Sequence, residues 1–157
     1  MVDQVQYLTQ EGMDALQKRL NYLINVRRAE VAELLHSALD GGGEITENTE
    51  YEEAKNEQAF LESEITRIES ILRMAQVIED PANSDEVVIG SYVDVVEKGY
   101  DAEETYRLVG PAEANPREGK ISIESPLGKA LLGAKVNDKV TVKAPDGTIT
   151  FVIRDIR

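Results

Sequence analysis

The fold of this chain is decided by residues 51–75, which read YEEAKNEQAFLESEITRIESILRMA. Alternating steps of three and four residues define one stripe along this stretch: Tyr51, Ala54, Gln58, Leu61, Ile65, Ile68, Leu72 and Ala75. Gln58 is the one polar member of the stripe. This spacing is typical of the seam of a coiled coil, and it predicts a long helix that needs an apolar partner.

The partner is a second long helical segment upstream, between Gln10 and Leu39. Its apolar residues also recur at helical spacing: Leu16, Leu20, Leu23, Val31, Leu34 and Ala38. Glycines 41–43 are expected to end this helix, and Thr46 or, less favourably, Thr49 to cap the next one. Because neither helix can bury its stripe alone, we predict an antiparallel helical hairpin.

The second half of the chain has a different residue pattern, which predicts a separate domain. After a turn-rich stretch at 80–84, short β-branched runs occupy 87–89, 92–96, 105–109, 120–123, 139–143 and 148–153. Ser125 as cap and Pro126 in the first turn predict one short helix among them. The predicted fold class is therefore α+β with two domains, a coiled-coil hairpin over 1–80 and a small antiparallel sheet with one helix over 81–157.

Composition and charge limit the possible functions. The 157 residues carry a net charge of −13, of which −10 falls on the first 80 residues, with 17 acidic and 7 basic side chains. Such a chain is unsuited to binding exposed nucleic-acid backbone through its general surface. Cysteine is absent, which excludes disulfides and thiolate metal sites. Without a signal peptide or an apolar run that could cross a bilayer, we expect a cytoplasmic protein with no membrane contact.

The candidate site is the acidic tip of the predicted hairpin, near residues 40–48. Glu44, Glu47 and Glu50 recur there every three residues. A helix dipole favours carboxylates at its N-terminus, so a purely structural role stays open. The functional alternative is a metal-handling tip, since Mg²⁺ prefers oxygen ligands and usually takes only one or two carboxylates. Inserted into a site that supplies a first metal and a phosphodiester, two tip acids could hold a second Mg²⁺ and its attacking water.

Several motifs together resemble one known family. Residues 47–58, ENTEYEEAKNEQ, are similar to the Glu-Asn-x-Glu-Tyr-x-x-Ala-(Lys/Arg)-x-x-Gln signature of Gre transcript-cleavage factors. Residues 26–28 resemble the Arg-Arg segment of that family, and 75–78 resemble its hairpin end. In the second half, 105–110 and 121–133 resemble two further family motifs. The matches follow family order and span nearly the whole chain.

The resemblance implies a transcription elongation factor that binds bacterial RNA polymerase. The hairpin would enter the secondary channel of the polymerase, where Glu44 and Glu47 would serve as catalytic acids and as metal ligands shared with the polymerase. They would help the polymerase centre retain a second Mg²⁺ and hydrolyse backtracked RNA. The protein would thus stimulate the polymerase's own nuclease activity, would not be an enzyme itself, and would bind no metal when free.

The resemblance also implies which residues bind the partner molecules. The C-terminal domain would be FKBP-like and would dock on the rim of the channel through residues around its helix, namely Ser125, Pro126 and Leu127. Basic residues on the hairpin would contact the 3′ end of the nascent RNA: Arg27, Arg28 and Lys55. Because the hairpin buries its own seam, we expect a monomer.

The tip departs from the family pattern in two ways. The family has Gly-Asp-x-x-Glu-Asn, whereas residues 43–48 read GEITEN, and one extra residue falls in the triple glycine. Glutamate is one methylene longer than aspartate, and a misplacement of about 1 Å can cost roughly a hundredfold in rate. A second hypothesis is therefore a non-cleaving Gre-like regulator or inhibitor that enters the same channel.

Proteins of other classes fit the sequence less well. A structural or chaperone coiled coil would need neither tip acids nor a docking domain. A prolyl isomerase is suggested by the FKBP-like fold alone, and fold is weak evidence for function. A free-standing Mg²⁺ nuclease would need more acids in one place. His36, the single histidine, is expected to be structural.

Overall fold

The computed structural model describes residues 4–40, 49–79, 81 and 84–157. These divide into two compact units, one formed by Met13–Met74 and the other by Met1–Gly12 together with Ala75–Arg157. The elements in chain order are β1 (Gln6–Leu8), α1 (Gln10–Tyr22), a π-helical turn (Leu23–Arg27), α2 (Arg28–Asp40), α3 (Thr49–Arg73), β2 (Ala75–Val77), β3 (Tyr92–Glu97), β4 (Glu103–Val109), 3₁₀ turns (Pro111–Glu113 and Pro116–Glu118), β5 (Lys120–Ser122), α4 (Pro126–Leu131), β6 (Lys139–Ala144) and β7 (Gly147–Ile156).

The predicted helical hairpin is confirmed in the unit Met13–Met74. One arm consists of α1, the π turn and α2, and the other arm is α3. Apolar side chains of both arms form a single buried cluster, with members Leu23, Val31, Leu61, Ile65 and Ile68. Each such side chain contributes about 1.5–3 kcal/mol when fully buried, so the seam is the main stabilising element of this unit. The expected caps, glycines 41–43 and Thr46, lie outside the described residues.

The π turn changes which leucine faces the other arm. Leu23 and Val31 are both 1% exposed although they lie eight residues apart, whereas in an α-helix residues seven apart complete about two turns. The wider π turn takes up the extra residue, so Val31 returns to the seam. Leu35 then packs against the buried cluster. Leu34, which we predicted on the seam, is 49% exposed.

Two positions predicted on the seam of the second helix also lie elsewhere. Gln58 is exposed, as expected for an amide that would lose its hydration without a partner in the seam. Ala75 is not helical, since α3 ends at Arg73 and Ala75 begins β2. Strands β1 and β2 pair in parallel, with Gln6 opposite Ala75 and Leu8 opposite Val77. The sequence pattern did not predict this pair.

The start of the chain belongs to the C-terminal unit, which differs from the predicted boundary after residue 80. The carboxylate of Glu113 explains this. Thr9 donates its backbone N–H to Glu113 Oε2 at 3.0 Å and its hydroxyl to Glu113 Oε1 at 2.5 Å. Thr9 Oγ1 in turn accepts from the backbone N–H of Gly12 at 3.0 Å, which caps the first turn of α1.

The predicted sheet with one helix is confirmed in the C-terminal unit. Five strands follow the order β5-β4-β3-β7-β6, and every adjacent pair is antiparallel except β4–β5, which is parallel. Leu131 of α4 is fully buried in the core of this unit beside Val95 and Ile153. The predicted strand at 87–89 does not form, because Glu86 makes only an isolated bridge to Lys135 and the chain then turns.

Tyr106 in β4 gives this unit a predictable response to alkaline pH. Burial, and then a hydrogen bond from its hydroxyl to Glu104, raise the pKa of Tyr106 to about 12. Because the folded state holds this proton more tightly than the unfolded chain, the stabilisation is complete below about pH 10 and is lost as the pH rises through about 12. We expect the free energy of unfolding, measured in urea, to fall in that window.

Replacing Tyr106 by Phe should remove that part of the decline, since Phe has no proton to lose. Tyr100 is 66% exposed and provides the control: Tyr100→Phe should retain the wild-type pH profile. Identical profiles for Tyr106→Phe and wild type would show that another group causes the decline.

Candidate functional site

The two arms of the hairpin lead to the segment that carries the predicted tip acids. Helix α2 ends at Asp40, α3 begins at Thr49, and Glu44 and Glu47 fall in the eight residues between them, outside the described part of the chain. The first turn of α3 adds two further carboxylates, Glu50 and Glu52. The positive end of the helix dipole stabilises negative charge at this point.

His36 and Asp40 lie close together at the end of α2. His36 Nε2 is 3.1 Å from Asp40 Oδ2, one helical turn away, and both side chains are mostly exposed. No group of three or more histidine or acidic side chains that could hold a metal ion occurs within residues 4–40, 49–79, 81 and 84–157.

Arg27 and Arg28, which we predicted to contact RNA, are paired with carboxylates of the opposite arm. Arg28 forms a bidentate pair with Glu62, with both N–O distances at 2.8 Å. Arg27 donates to Glu57 at 2.5 Å and to Glu30 at 2.9 Å. An RNA phosphate would have to displace these carboxylates, so the RNA contact stays a prediction.

Ion pairs between the two arms occur at several points along the hairpin. Arg19 adds a third pair, with its Nε 3.1 Å from Glu64 Oε1. The hydrogen bond from Arg28 lowers the pKa of Glu62, and the hydrogen bonds to Glu57 and Glu30 raise the pKa of Arg27. Because the charged forms of both Arg28 and Glu62 are favoured, this pair persists over a wide range of pH.

Lys55, the third predicted RNA contact, lies on α3 close to the tip. Its Nζ is 5.6 Å from the centroid of the Tyr51 ring, a distance at which an ammonium is attracted by the ring face. Lys55 is exposed, and Tyr51 is half-buried. The ring thus holds the only lysine of the hairpin arm α3 on its outer surface.

Ser125, Pro126 and Leu127 have three different structural roles. Ser125 Oγ accepts from the N–H of Gly128 at 3.0 Å and donates to the carbonyl of Ser122 at 2.7 Å, so it caps α4 as predicted. Leu127 packs partly against the core. Pro126 is exposed in the first turn, which makes it the one of the three most open to a docking partner.

A groove beside this helix contains residues that the sequence analysis missed. It has a volume of about 410 Å³ and is lined by Gln4, Val5, Gln6, Tyr7, Pro111, Ile123 and Glu124. Val5 and Tyr7 are 46% and 40% exposed, so they give this groove part of its apolar lining. Val5 and Tyr7 alternate with polar residues, which is a signal for a β-strand. The sequence analysis did not use this signal because it predicted no strand that could pair with this segment.

Comparison with known proteins identifies the family. A family model described as "Transcription elongation factor, N-terminal" matches residues 6–77, and one described as "Transcription elongation factor, GreA/GreB, C-term" matches residues 82–157. In the described residues no helix is long and apolar enough to cross a membrane.

Curated relatives match over nearly the full length. GreA of Thermoanaerobacter pseudethanolicus is 50% identical over 151 residues, 96% of each chain, and GreA of a Roseiflexus species is 48% identical over 158 residues, 100% of each. The solved structure of GreA factor homolog 1 of Thermus thermophilus is 29% identical, covers 98% of this chain and 99% of its own, and gives a TM-score of 0.45. That TM-score is too low to support the assignment, which rests on the sequence matches. The chain therefore belongs to the GreA/GreB family of transcription elongation factors.

Proposed function

We propose that this protein binds bacterial RNA polymerase, inserts its helical hairpin into the secondary channel, and stimulates hydrolysis of backtracked nascent RNA. The observation that carries the proposal is the position of Glu44 and Glu47 in the short segment joining two long, cross-paired arms. Family membership supports the polymerase as partner. Acting there, the protein would work in the cytoplasm.

The residues of the tip fit a shared Mg²⁺ site. Carboxylate oxygens are the ligands that Mg²⁺ prefers, and one or two from the protein suffice when phosphate and water fill the remaining positions. Glu44 and Glu47 would be these ligands, and the polymerase would supply the others. When bound, the ion would activate a water molecule and stabilise charge on the attacked phosphate. Two carboxylates alone would hold Mg²⁺ only weakly, so the free protein would be no nuclease.

The arms of the hairpin would deliver these acids to the reacting phosphodiester. The Arg–Glu pairs between the arms resist sliding of one helix along the other. The carboxylates must be placed precisely, because a misplacement of about 1 Å can cost roughly a hundredfold in rate. The chain's own contribution is thus positioning of two carboxylates, while the polymerase performs the hydrolysis.

A stalled complex provides the direct test of this function. RNA polymerase would be arrested in a backtracked state on 3′-labelled RNA, and the release of short 3′ fragments would be followed with Mg²⁺ present. We expect the protein to accelerate this release. No acceleration, despite demonstrated binding to the polymerase, would rule out cleavage stimulation.

The sequence of the tip favours one alternative function, a non-cleaving regulator of the same channel. Glu44 stands where the family pattern has aspartate, and the triple glycine contains an extra residue. Such a regulator would slow elongation or compete with a genuine cleavage factor. If the longer acid and the longer loop prevent cleavage stimulation, a variant that combines Glu44→Asp with deletion of Gly42 should stimulate cleavage where the wild type does not.

Docking through α4 yields a separate prediction. Pro126→Asp should weaken polymerase binding on the order of tenfold, about 1.4 kcal/mol, because a charge replaces an exposed apolar contact. Aspartate is tolerated in the first turn of a helix, so α4 should persist. Pro116→Asp is the matched control, since Pro116 is also an exposed proline beginning a short helical turn. Equal affinities of the two variants would locate docking elsewhere.

A further inference from the structure

A groove between the arms near the tip has no role in the function proposed above. It has a volume of about 360 Å³ and lies between α2 and α3, lined by Arg27, Leu34, Ser37, Ala38, Glu50, Glu53, Ala54 and Glu57. Its apolar surface comes from Leu34, Ala38 and Ala54. The two alanines are 4% and 6% exposed, whereas Leu34 is 49% exposed.

The π turn is the reason that Leu34 lies in this groove. By returning Val31 to the seam it turns Leu35 toward α3 and leaves Leu34 beside the seam. Leaving a leucine half exposed forgoes part of the free energy that its burial would contribute. A partner that covers Leu34 would recover that free energy.

The charges at the groove indicate what kind of partner could cover it. Glu50, Glu53 and Glu57 line it together with a single cation, Arg27, whose guanidinium is already bound to Glu57 and Glu30. A neighbouring depression on the other side of Leu34 adds Glu33 to the acidic rim. This excess of carboxylates repels phosphate and attracts ammonium and guanidinium groups.

We propose that this groove docks a protein segment of RNA polymerase that presents an apolar side chain flanked by lysine or arginine. The apolar side chain would cover Leu34, Ala38 and Ala54, and the cations would meet Glu50 and Glu53. The proposal rests on the proposed function, because the hairpin must enter the polymerase for this surface to be covered. It assigns to the arms a binding role separate from the tip chemistry.

Charge reversal at the groove tests the chemistry of the partner. Glu53→Lys is expected to weaken binding to core RNA polymerase on the order of tenfold at low salt, with a smaller effect at high salt because ions screen the interaction. Glu52→Lys is the matched control: it is the adjacent exposed residue of α3 and does not line the groove. Tighter binding of Glu53→Lys would overturn the proposal and identify RNA phosphate as the neighbour. Equal effects of both variants would overturn it as well.

Two variants that each remove an exposed leucine test the apolar surface of the groove. Leu34 and Leu39 both lie on α2 and are 49% and 48% exposed, but only Leu34 lines the groove. We expect Leu34→Ser to weaken binding about fivefold, while Leu39→Ser stays within about twofold, since the loss of helix propensity is the same for both. Equal affinities of the two variants would contradict the proposal.

The wild-type protein separates failure of this proposal from failure of the proposed function. If it neither binds the polymerase nor stimulates release of RNA fragments, the proposed function and the groove proposal are both wrong. If it binds and stimulates cleavage while all four variants bind equally, only the groove proposal falls. Thermal unfolding of each variant would establish that the hairpin remains folded.

Discussion

Gly128→Ala is expected to destabilise the C-terminal unit by about 3 kcal/mol, the upper end of the usual overpacking cost. A Cβ at Gly128 would lie 2.8 Å from the carbonyl carbon of Ser122 and closer still to its oxygen, and 3.0 Å from Ile123 Cα. These are main-chain atoms, so no side chain can rotate away to relieve the overlap. The turn that caps α4 would have to shift.

Amide hydrogen exchange on the full chain would measure this loss. Protection of the amides in β3 and β7 should fall about a hundredfold, since each 1.4 kcal/mol corresponds to a factor of ten. Amides of α3 belong to the other compact unit and serve as an internal reference. Polymerase binding should weaken too, because the same turn presents Pro126.

Gly99→Ala is the control for the Gly128 variant. Gly99 has a φ of +97° with nothing within 4 Å of a built Cβ, so alanine there carries only backbone strain of about 1–2 kcal/mol. A loss at Gly128 no greater than the loss at Gly99 would show that the Ser122 turn adapts easily.

Glu47→Ala is expected to reduce stimulated RNA cleavage at saturating protein at least about a hundredfold. Under the proposed function the variant removes one of two carboxylates that the chain brings to the shared Mg²⁺ site. A hundredfold loss corresponds to about 2.7 kcal/mol of transition-state stabilisation. Fragment release from 3′-labelled RNA in a backtracked complex measures it.

Polymerase affinity should change little in Glu47→Ala, because docking depends on residues around α4 and on the arms. Glu52→Ala provides the control, since Glu52 is an exposed carboxylate in the first turn of α3. Its cleavage rate and affinity should match the wild type. A collapse of affinity in Glu47→Ala would mean that the tip itself carries the binding energy.

Patterns within single segments were sufficient to predict most elements. The steps of three and four in residues 51–75 predicted α3, and its partner stripe predicted the hairpin, since both follow from helical geometry alone. Ser125 followed by Pro126 predicted the capped start of α4 for an equally local reason. The assignment of Glu44 and Glu47 as tip acids came from the family resemblance and stays a prediction, since both lie outside the described residues.

The ion pairs of the basic residues could not be predicted from the sequence. Arg27 and Arg28 looked like free cations, yet α3 places Glu57 and Glu62 within hydrogen-bond distance of them. Which carboxylate meets which guanidinium depends on the register of the two arms. That register is set by packing between segments about 30 residues apart.

The sequence by itself determined the hairpin and the sheet with its helix, because each of these depends on local spacing and residue type. Only the tertiary structure decided that Leu34 is exposed while Leu35 is packed, since the π turn forms to match α2 to a partner helix. It also decided that β1 joins β2 and that Glu113 binds Thr9, the residue that caps α1. These contacts join segments more than 60 residues apart, where no local periodicity can indicate which groups will meet.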